Sequence, residues 1–340
     1  MNYLIVGAGA IGCYVGGRLI ASGHRVALVG RAPTLDPLAT GGLKVSDLDG
    51  FRTHLEPAQL QLFTSVTHAW QDLQAGGGQG TSTVILLCVK GGATVSAAQE
   101  IATHCPAGSV VVSLQNGVDN VARIAKAGPG LQVVAGMVPY NVVMPDPNKV
   151  HRATEGALHL ADTPATRTIA HAFNASGLPT VLASDMLTVQ WGKLLLNLNN
   201  PVNALSDLPL VDQLRDRDFR RVLAALQTEA LQVLAVADIR PAQISKAPTQ
   251  LLPFILRLPN WLFSRIAASM LRMDATARSS MWEDLQRGRI TEIDDLCGAV
   301  VRLAAQHGGS APRNAVMCTL MKSCRSGQRW SGTALRQAVG

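Results

Sequence analysis

The sequence is poor in aromatic residues and has no cluster of basic ones. Phe, Trp and Tyr make up 4% of its 340 residues, and the basic residues behind its formal charge of +7 are dispersed along the chain. Nucleic-acid-binding domains usually combine a basic patch with a recognisable motif. No such motif is present, so we expect no nucleic-acid partner. The basic residues are interpreted as attracting small anions, with a solvated surface of no specific function as the alternative.

Cysteine motifs, a secretory leader and a membrane-spanning run are also missing. The six cysteines are scattered without a CxxC pair or histidines at metal-ligand spacing, so we expect a reducing compartment and no metal site. No basic segment precedes the apolar N-terminal residues, and we therefore expect no signal peptide and a cytoplasmic location. The apolar stretch at 251–271 contains prolines and arginines, which argues against a transmembrane helix and a membrane partner.

Short apolar runs rich in β-branched residues alternate with helical or glycine-rich segments in the first half of the chain. This alternation is typical of a parallel sheet with crossover helices. Strands are predicted at 3–6, 25–29, 84–89, 110–114, 133–138, 157–160 and 179–183, with a loop at 75–80. From Asp185 onward the periodicity is helical. We therefore predict an α/β fold, with a Rossmann-type doubly wound domain over 1–184 and an all-α domain over 185–340.

A glycine motif follows the first predicted strand and begins a helix. Gly7, Gly9 and Gly12 have the GxGxxG spacing of dinucleotide-binding turns. In such turns the first glycine permits the bend, the second lets a pyrophosphate approach, and the third packs helix against sheet. The N–H groups of the helix start then bind the phosphate. The predicted cofactor-binding residues here are Gly7, Ala8, Gly9, Ala10, Ile11 and Gly12.

The end of the second predicted strand indicates which dinucleotide binds. NAD enzymes place an acid there to hold the ribose hydroxyls, whereas this chain has Arg31 and no acid before Asp36. An arginine suits a 2′-phosphate, so NADP(H) is the predicted cofactor. A solvent-facing Arg31 without a ligand is the alternative.

Two further polar stretches follow predicted strands. Lys90 comes after the strand at 84–89, and Asn116 comes after the strand at 110–114. Ligands of open α/β sheets bind outside the carboxyl ends of the strands, so both residues are candidates for the cofactor cleft. Asn116 precedes Gly117, and an ordinary turn is the alternative reading of that pair.

The stretch KLLLNLNNPVNAL at 193–205 combines leucines with amides. On a helix of about 100° per residue, Lys193, Asn197 and Asn200 share one narrow face, and the leucines occupy the opposite one. A surface stripe usually carries charges rather than amides. The three residues therefore read as donors aimed at a carbonyl and hydroxyls, with an exposed stripe as the alternative. Pro201 cannot donate to the carbonyl of Asn197, which predicts a kink.

Together these motifs resemble the ketopantoate reductase (2-dehydropantoate 2-reductase) family. The resemblance covers essentially the whole chain. It depends on GAGAIG with Arg31, on Lys90, on QNG at 115–117, on WGKLLLN at 191–197, and on SSM at 279–281 followed by TEID at 291–294. It implies a 6-phosphogluconate-dehydrogenase-like architecture and NADPH-dependent reduction of ketopantoate.

The resemblance also implies roles for individual residues. Lys193 would donate a proton to the forming alkoxide, and Glu292 would orient its ammonium group. Asn197 would bind the hydroxyl or keto oxygen of the substrate, and Ser280 its carboxylate. Asn200 is a further predicted substrate-binding residue. A helix cap is the alternative for the serines, and a surface acid is the alternative for Glu292. Lys90 and Asn116 would lie beside the cofactor, and Asn116 would also lie near the substrate. The predicted substrate-binding residues are therefore Asn116, Asn197, Asn200 and Ser280.

Three positions depart from the family pattern. Pro201 stands where the second asparagine is common, which leaves Asn200 and Asn203 as candidates. Cys297 replaces an asparagine. The segment from 241 to 277 is long and apolar, and we interpret it either as a core or dimer-contact helix pair or as a lid over the substrate pocket. A homodimer through the helical domain is therefore an expectation.

The leading hypothesis is an NADPH-dependent reductase of 2-keto acids, with ketopantoate as the first candidate substrate. A dehydrogenase of another 2-oxo or 3-hydroxy acid is the second hypothesis. A non-catalytic NADP-binding sensor is the third, and the presence of both Lys193 and Glu292 disfavours it.

Overall fold

The computed structural model describes residues 1–76, 82–244, 247–268 and 276–340, and most of the loop predicted at 75–80 lies outside them. The chain divides into two compact units, Met1–Met186 and Leu187–Gly340. The first is built on β-sheets and the second, in its described part, on helices alone. This arrangement confirms the predicted fold class.

An eight-stranded sheet forms the centre of the first unit. Its order is β12-β11-β8-β7-β6-β1-β2-β5, and every neighbouring pair is parallel except β8 with β11. The strands are β1 Asn2–Val6, β2 Arg25–Val29, β5 Gln61–Phe63, β6 Thr83–Leu87, β7 Val110–Ser113, β8 Gln132–Met137, β11 Leu158–Ala161 and β12 Thr180–Ala183. All seven predicted strands are present. The order of neighbours reverses between β1 and β6, which is where open α/β sheets bind ligands.

Apolar side chains are buried on both faces of this sheet. Tyr3 and Ile5 of β1 belong to one apolar core, and Leu4 and Val6, which point the other way, belong to a second. Burial on both faces explains why the strands are continuous apolar runs rather than alternating ones.

The helices of the unit are α1 Ala10–Ala21, α2 Ala32–Gly41, α3 Val66–Ala75, α4 Thr94–His104, α5 Asn120–Ala127 and α6 Pro164–Ala175.

A second sheet of four strands was not predicted. Its order is β4-β3-β10-β9, with β3 Leu43–Asp47, β4 Arg52–Leu55, β9 Val142–Asp146 and β10 Lys149–Arg152. These strands are short and partly exposed, and they contain charged residues, so they lack the apolar runs of the main sheet. The strand β5 was missed because it has three residues and none of them is fully buried. The strand β3 pairs with β10, which is far apart from it in the sequence, and this pairing stabilises strands that their local sequence pattern does not predict.

Ten helices are described for the second unit and its junction with the first. They are α7 Met186–Asn197, α8 Asn199–Ser206, α9 Leu210–Arg215, α10 Arg217–Val236, α11 Leu252–Arg257, α12 Asn260–Ile266, α13 Ser280–Gln286, α14 Cys297–Gln306, α15 Pro312–Ser323 and α16 Gly332–Val339. The long α10 contacts α8, α9, α11, α14, α15 and α16, so it is the helix around which the unit is built.

The predicted kink is an interruption between α7 and α8 at Leu198, three residues before Pro201. The carbonyl of Leu195 accepts a hydrogen bond of 3.0 Å from the side chain of Gln227 on α10. A buried carbonyl needs such a partner where a helix is interrupted. Gln227 therefore stabilises the break from outside the helix.

Candidate active site

Gly7, at the end of β1, needs to be glycine for two reasons. Its φ is +112°, in the region that favours glycine. A Cβ at this position would also lie 2.7 Å from the carbonyl carbon of Cys88, which follows β6. Gly12 is equally constrained, because its Cβ would lie 2.1 Å from the carbonyl oxygen of Gly7. The motif therefore forms a tight turn that holds the start of α1 against the sheet.

The start of α1 is open on the side where a ligand would bind. Gly9 precedes the helix, is exposed, and has no atom within 4 Å of the position of a Cβ. Ala10 and Ile11 are half-buried, whereas Ala8 is buried and its N–H donates to the carbonyl of Val29 at 3.1 Å. The first N–H groups of a helix have no partner within it. Space above Gly9 and these donors together fit a phosphate group.

Arg31 is the second residue after β2 and directly precedes α2. Since β2 is the parallel neighbour of β1, Arg31 and the glycine turn lie at the same edge of the sheet. Its side chain is exposed and makes no ion pair within the part of the chain that the structure describes. The guanidinium group is thus available to a ligand.

Lys90 and Asn116 follow the carboxyl ends of two neighbouring strands, β6 and β7. Lys90 is exposed and precedes a turn of 3-10 helix at Gly91–Ala93. Asn116 is half-buried and is followed by Gly117, whose φ is +94°. All the cofactor residues predicted from the sequence therefore lie along one edge of the sheet in the first unit.

A hydrogen-bonded network that the sequence analysis did not identify supports Asn116. The buried Gln115 donates to the carbonyl of Val89 at 2.8 Å and to the hydroxyl of Thr94 at 2.7 Å. Asn120 donates to the carbonyl of Asn116 at 2.6 Å. The network ties the loop after β7 to the loop after β6. The only signal in the sequence was a glutamine at the end of an apolar strand.

The predicted two faces of 193–205 agree with the observed burial. Leu194, Leu195, Leu198, Val202 and Leu205 are buried, and Lys193, Asn197 and Asn200 are partly exposed. Burial lowers the pKa of Lys193 to about 8. Desolvation disfavours the charged ammonium, so this lysine can release a proton near neutral pH.

Gly192, next to Lys193, allows a close approach of the chain segment after α10. A Cβ at position 192 would lie 2.3 Å from the carbonyl oxygen of Ala242, and the N–H of Ala242 donates to the carbonyl of Thr188 at 2.9 Å. Trp191 is buried on the preceding position. In the motif WGK, Trp191 packs in the core, Gly192 allows the close backbone contact, and Lys193 is the titratable residue.

Asn203 is fully buried, and both ends of its amide are used. Its Nδ2 donates to the carbonyl of Leu208 at 2.9 Å, and its Oδ1 accepts from the N–H of Ser279 at 2.9 Å. Asn200 is partly exposed, and its backbone carbonyl accepts from the hydroxyl of Ser279 at 3.2 Å. Of the two candidates left by the sequence, Asn200 is therefore the one with a side chain accessible to a ligand.

The two serines of SSM have different positions. Ser279 is buried and caps α13, because its hydroxyl accepts from the N–H of Trp282 at 3.2 Å. Ser280 is the first residue of that helix and is exposed. The capping role that was open for both serines thus belongs to Ser279, which leaves the hydroxyl of Ser280 outside the cap.

Glu292 is partly exposed and precedes a turn of 3-10 helix at Ile293–Asp295. The turn is joined to α15 by an ion pair of 2.7 Å between Asp294 and Lys322. Cys297, which the resemblance to the family set against an asparagine, is buried at the start of α14, and its free thiol is hydrogen-bonded to the free thiol of Cys318. Burial raises the pKa of Cys297, so this thiol is a neutral packing group rather than an amide donor.

The apolar segment at 241–277, of which 245–246 and 269–275 lie outside the described residues, packs on α10 with its inner face. Arg220 on α10 is fully buried and donates to the carbonyls of Leu256 and Leu258 at 3.1 and 2.9 Å. It also lies 4.1 Å from the ring centroid of Phe263. Four large apolar side chains of the segment are exposed: Leu251, Phe254, Trp261 and Ile266. We call the exposed side chains of α11 and α12 their outer face.

Neither a metal-binding cluster nor a membrane-crossing helix is present in the described residues. No group of three or more histidine, cysteine or acidic side chains is arranged to hold a metal ion in that part of the chain. Over the same residues, the structure has no helix with both the length and the apolarity needed to cross a membrane.

The chain is similar to proteins of one family over most of its length. The family model for ketopantoate reductase PanE/ApbA matches residues 3–165, and the model for its C-terminal domain matches 185–325. A 2-dehydropantoate 2-reductase of Halobacterium salinarum is 28% identical over 336 residues, which are 97% of this chain and 99% of the relative.

Solved structures agree with the sequence comparison. A PanE/ApbA family ketopantoate reductase from Ralstonia eutropha JMP134 is 27% identical with a TM-score of 0.77, covering 95% of this chain and 97% of that one. D-mandelate dehydrogenase in its complex with NADH and anilino(oxo)acetate has the same fold. It is 21% identical with a TM-score of 0.75, covering 95% and 98% of the two chains.

Proposed function

The chain belongs to the ketopantoate reductase family of oxidoreductases, as its motifs predicted, and from this premise we propose that it reduces ketopantoate to pantoate with NADPH. The observation that supports the reaction best is Lys193. It shares a partly exposed face with Asn197 and Asn200, and burial lowers its pKa to about 8. A proton donor is most effective when its pKa lies near the working pH.

NADP(H) is the proposed cofactor, and the residues of the first unit fit it. The space above Gly9 and the N–H groups at the start of α1 suit a pyrophosphate, and the exposed Arg31 suits a 2′-phosphate. Lys90 and Asn116 would bind the ribose and nicotinamide side of the molecule. When bound, the cofactor supplies the hydride for the keto carbon.

The remaining chemistry is assigned to residues of the second unit. Lys193 would donate its proton to the oxygen that becomes the hydroxyl, and Glu292 would orient the ammonium group. Asn197 and Asn200 would donate to substrate oxygens, and Ser280 would bind the carboxylate. The domain at 1–184 would then hold the cofactor, and the domain at 185–340 would supply the proton and the substrate contacts.

A second candidate is reduction of another 2-keto acid, and Pro201 is the observation that favours it. Proline replaces an asparagine that is common in the family and offers no side-chain donor. D-mandelate dehydrogenase, with the same fold, binds a 2-oxo acid analogue and NADH. A change of donors in this stretch would thus alter the substrate more readily than the reaction.

A homodimer through the helical domain is the proposed assembly. The outer face of α11 and α12 exposes Phe254 and Trp261, which are 66% and 69% accessible. Large apolar groups exposed together usually mark an interaction surface. Arg220 fixes the backbone beneath them, so the face is presented on a rigid support.

The test is NADPH oxidation by the purified chain against a panel of 2-keto acids that includes ketopantoate. We expect the highest kcat/KM for ketopantoate. A higher value for a different 2-keto acid would support the second candidate. Binding of NADPH with no turnover of any of them would contradict both and indicate the non-catalytic sensor.

A further inference from the structure

Asn203 joins two parts of the helical unit that carry proposed substrate contacts. It lies in α8, three residues after Asn200, with no exposed surface. Its Oδ1 accepts from the N–H of Ser279 and its Nδ2 donates to the carbonyl of Leu208, each at 2.9 Å. Since a buried amide without partners is costly, these two bonds define where the start of α13 can lie.

The bonds of Ser279 also restrict the position of Ser280, the next residue in the chain. Its backbone N–H is held by Asn203, while its hydroxyl donates to the carbonyl of Asn200 at 3.2 Å and caps Trp282. Ser280 is the next residue and is exposed at the first position of α13. The position of its hydroxyl therefore depends on a peptide unit that Asn203 binds.

Further bonds keep α8 and α13 together around this link. Asp207, which ends α8 with a φ of +52°, accepts from the indole N–H of Trp282 at 2.7 Å. The N–H of Leu210 donates to the carbonyl of Ala277 at 2.9 Å. The end of α8 and the start of α9 are thus bonded to the start of α13, and Asn203 binds the residue that directly precedes Ser280.

We propose that Asn203 is a positioning residue that sets the hydroxyl of Ser280 for the substrate carboxylate without touching the substrate. This inference depends on the proposed function, because it assigns a carboxylate to Ser280. It goes beyond that function by giving the fully buried asparagine of KLLLNLNNPVNAL a part in substrate recognition rather than in packing alone.

The test compares the best 2-keto acid of the panel with its methyl ester, which lacks the carboxylate charge, in a double-mutant cycle. We expect Asn203→Ala to raise the KM for the acid about tenfold, from loss of aligned hydrogen bonding, with smaller effects on kcat and on the KM for NADPH. The KM for the methyl ester should rise much less. In a Ser280→Ala background, Asn203→Ala should change the KM for the acid by less than about twofold, since coupled residues are not additive.

Asn314→Ala is the matched control. Asn314 is also fully buried in the helical unit and donates to Glu229 at 2.8 Å and to Leu226, but it has no contact with Ser279. The Asn314→Ala variant should have a lower melting temperature, but its KM should change to the same extent for the acid and for the methyl ester. If Asn203→Ala does not fold, Asn203→Leu replaces it, because leucine keeps about the same side-chain volume and removes both hydrogen bonds of Asn203. We expect the same preferential loss of the acid.

Two results would overturn the positioning role alone. One is equal loss of acid and ester in the variants, and the other is additivity of Asn203→Ala with Ser280→Ala. Absence of turnover by the unmodified chain with every 2-keto acid would overturn the proposed function, and the positioning role with it.

Discussion

The backbone of Ala242 lies against Gly192 so closely that a Cβ at position 192 would stand 2.3 Å from its carbonyl oxygen. Gly192 immediately precedes Lys193. The contact therefore couples the chain segment after α10 to the helix that carries the proposed proton donor.

Gly192→Ala should consequently impair both stability and activity. Something must move to admit the methyl group, and overpacking of this kind costs about 1–3 kcal/mol of unfolding free energy. Denaturant unfolding and kcat measure the two effects. Gly309→Ala is the control, because a Cβ there meets only Ala304 at an ordinary 3.5 Å. Equal behaviour of the two variants would refute the close contact.

Turnover should fall as the pH rises above about 8. The pKa of Lys193 is lowered to about 8 by burial, so the fraction of enzyme that carries the proton to be donated decreases about tenfold per pH unit beyond it. A profile of kcat against pH for keto-acid reduction measures this. Lys193→Ala should lose about 10²–10⁴-fold in kcat, with NADPH binding retained.

Lys193→Arg separates charge from proton transfer. The guanidinium group stays charged at any pH used and does not release a proton. We expect activity as low as that of Lys193→Ala. Wild-type turnover in either variant would show that another group donates the proton.

Arg31→Ala should weaken NADPH much more than NADH. Loss of a charge-assisted contact to the 2′-phosphate corresponds to about 10–100-fold in KM for NADPH, whereas NADH has no phosphate there. Steady-state kinetics with both cofactors give the ratio. Arg52→Ala removes another exposed arginine of the same unit and should leave the ratio unchanged. Equal loss for both cofactors would contradict the assignment of Arg31.

Trp261→Ser combined with Phe254→Ser should shift the assembly to a monomer. The unmodified chain is expected to have twice its mass of 35.9 kDa by light scattering, because association covers the exposed outer face of α11 and α12. Val236→Ser changes another apolar residue of the helical unit that is 69% exposed and should leave the mass unchanged. A monomer before mutation would reject the proposed assembly.

Local pattern was sufficient for much of the fold. The continuous apolar runs of the main sheet follow from burial on both faces. The helical second half and the two faces of 193–205 follow from burial on one side of a helix, which gives the apolar residues a helical period. The strands of the smaller sheet have no such pattern, because they are short and partly exposed, and β10 pairs with β3, which is far away in the sequence.

The sequence by itself determined the family, the glycine turn and the order of the candidate residues along the chain, since each depends on residue type and spacing. Only the tertiary structure decided which asparagine is accessible and which is buried, which serine caps α13, and why a glycine precedes Lys193. Those distinctions depend on a hydrogen-bond partner or a backbone contact from another element. Asn203 bonds Ser279, and Gly192 contacts Ala242, only after the chain has folded.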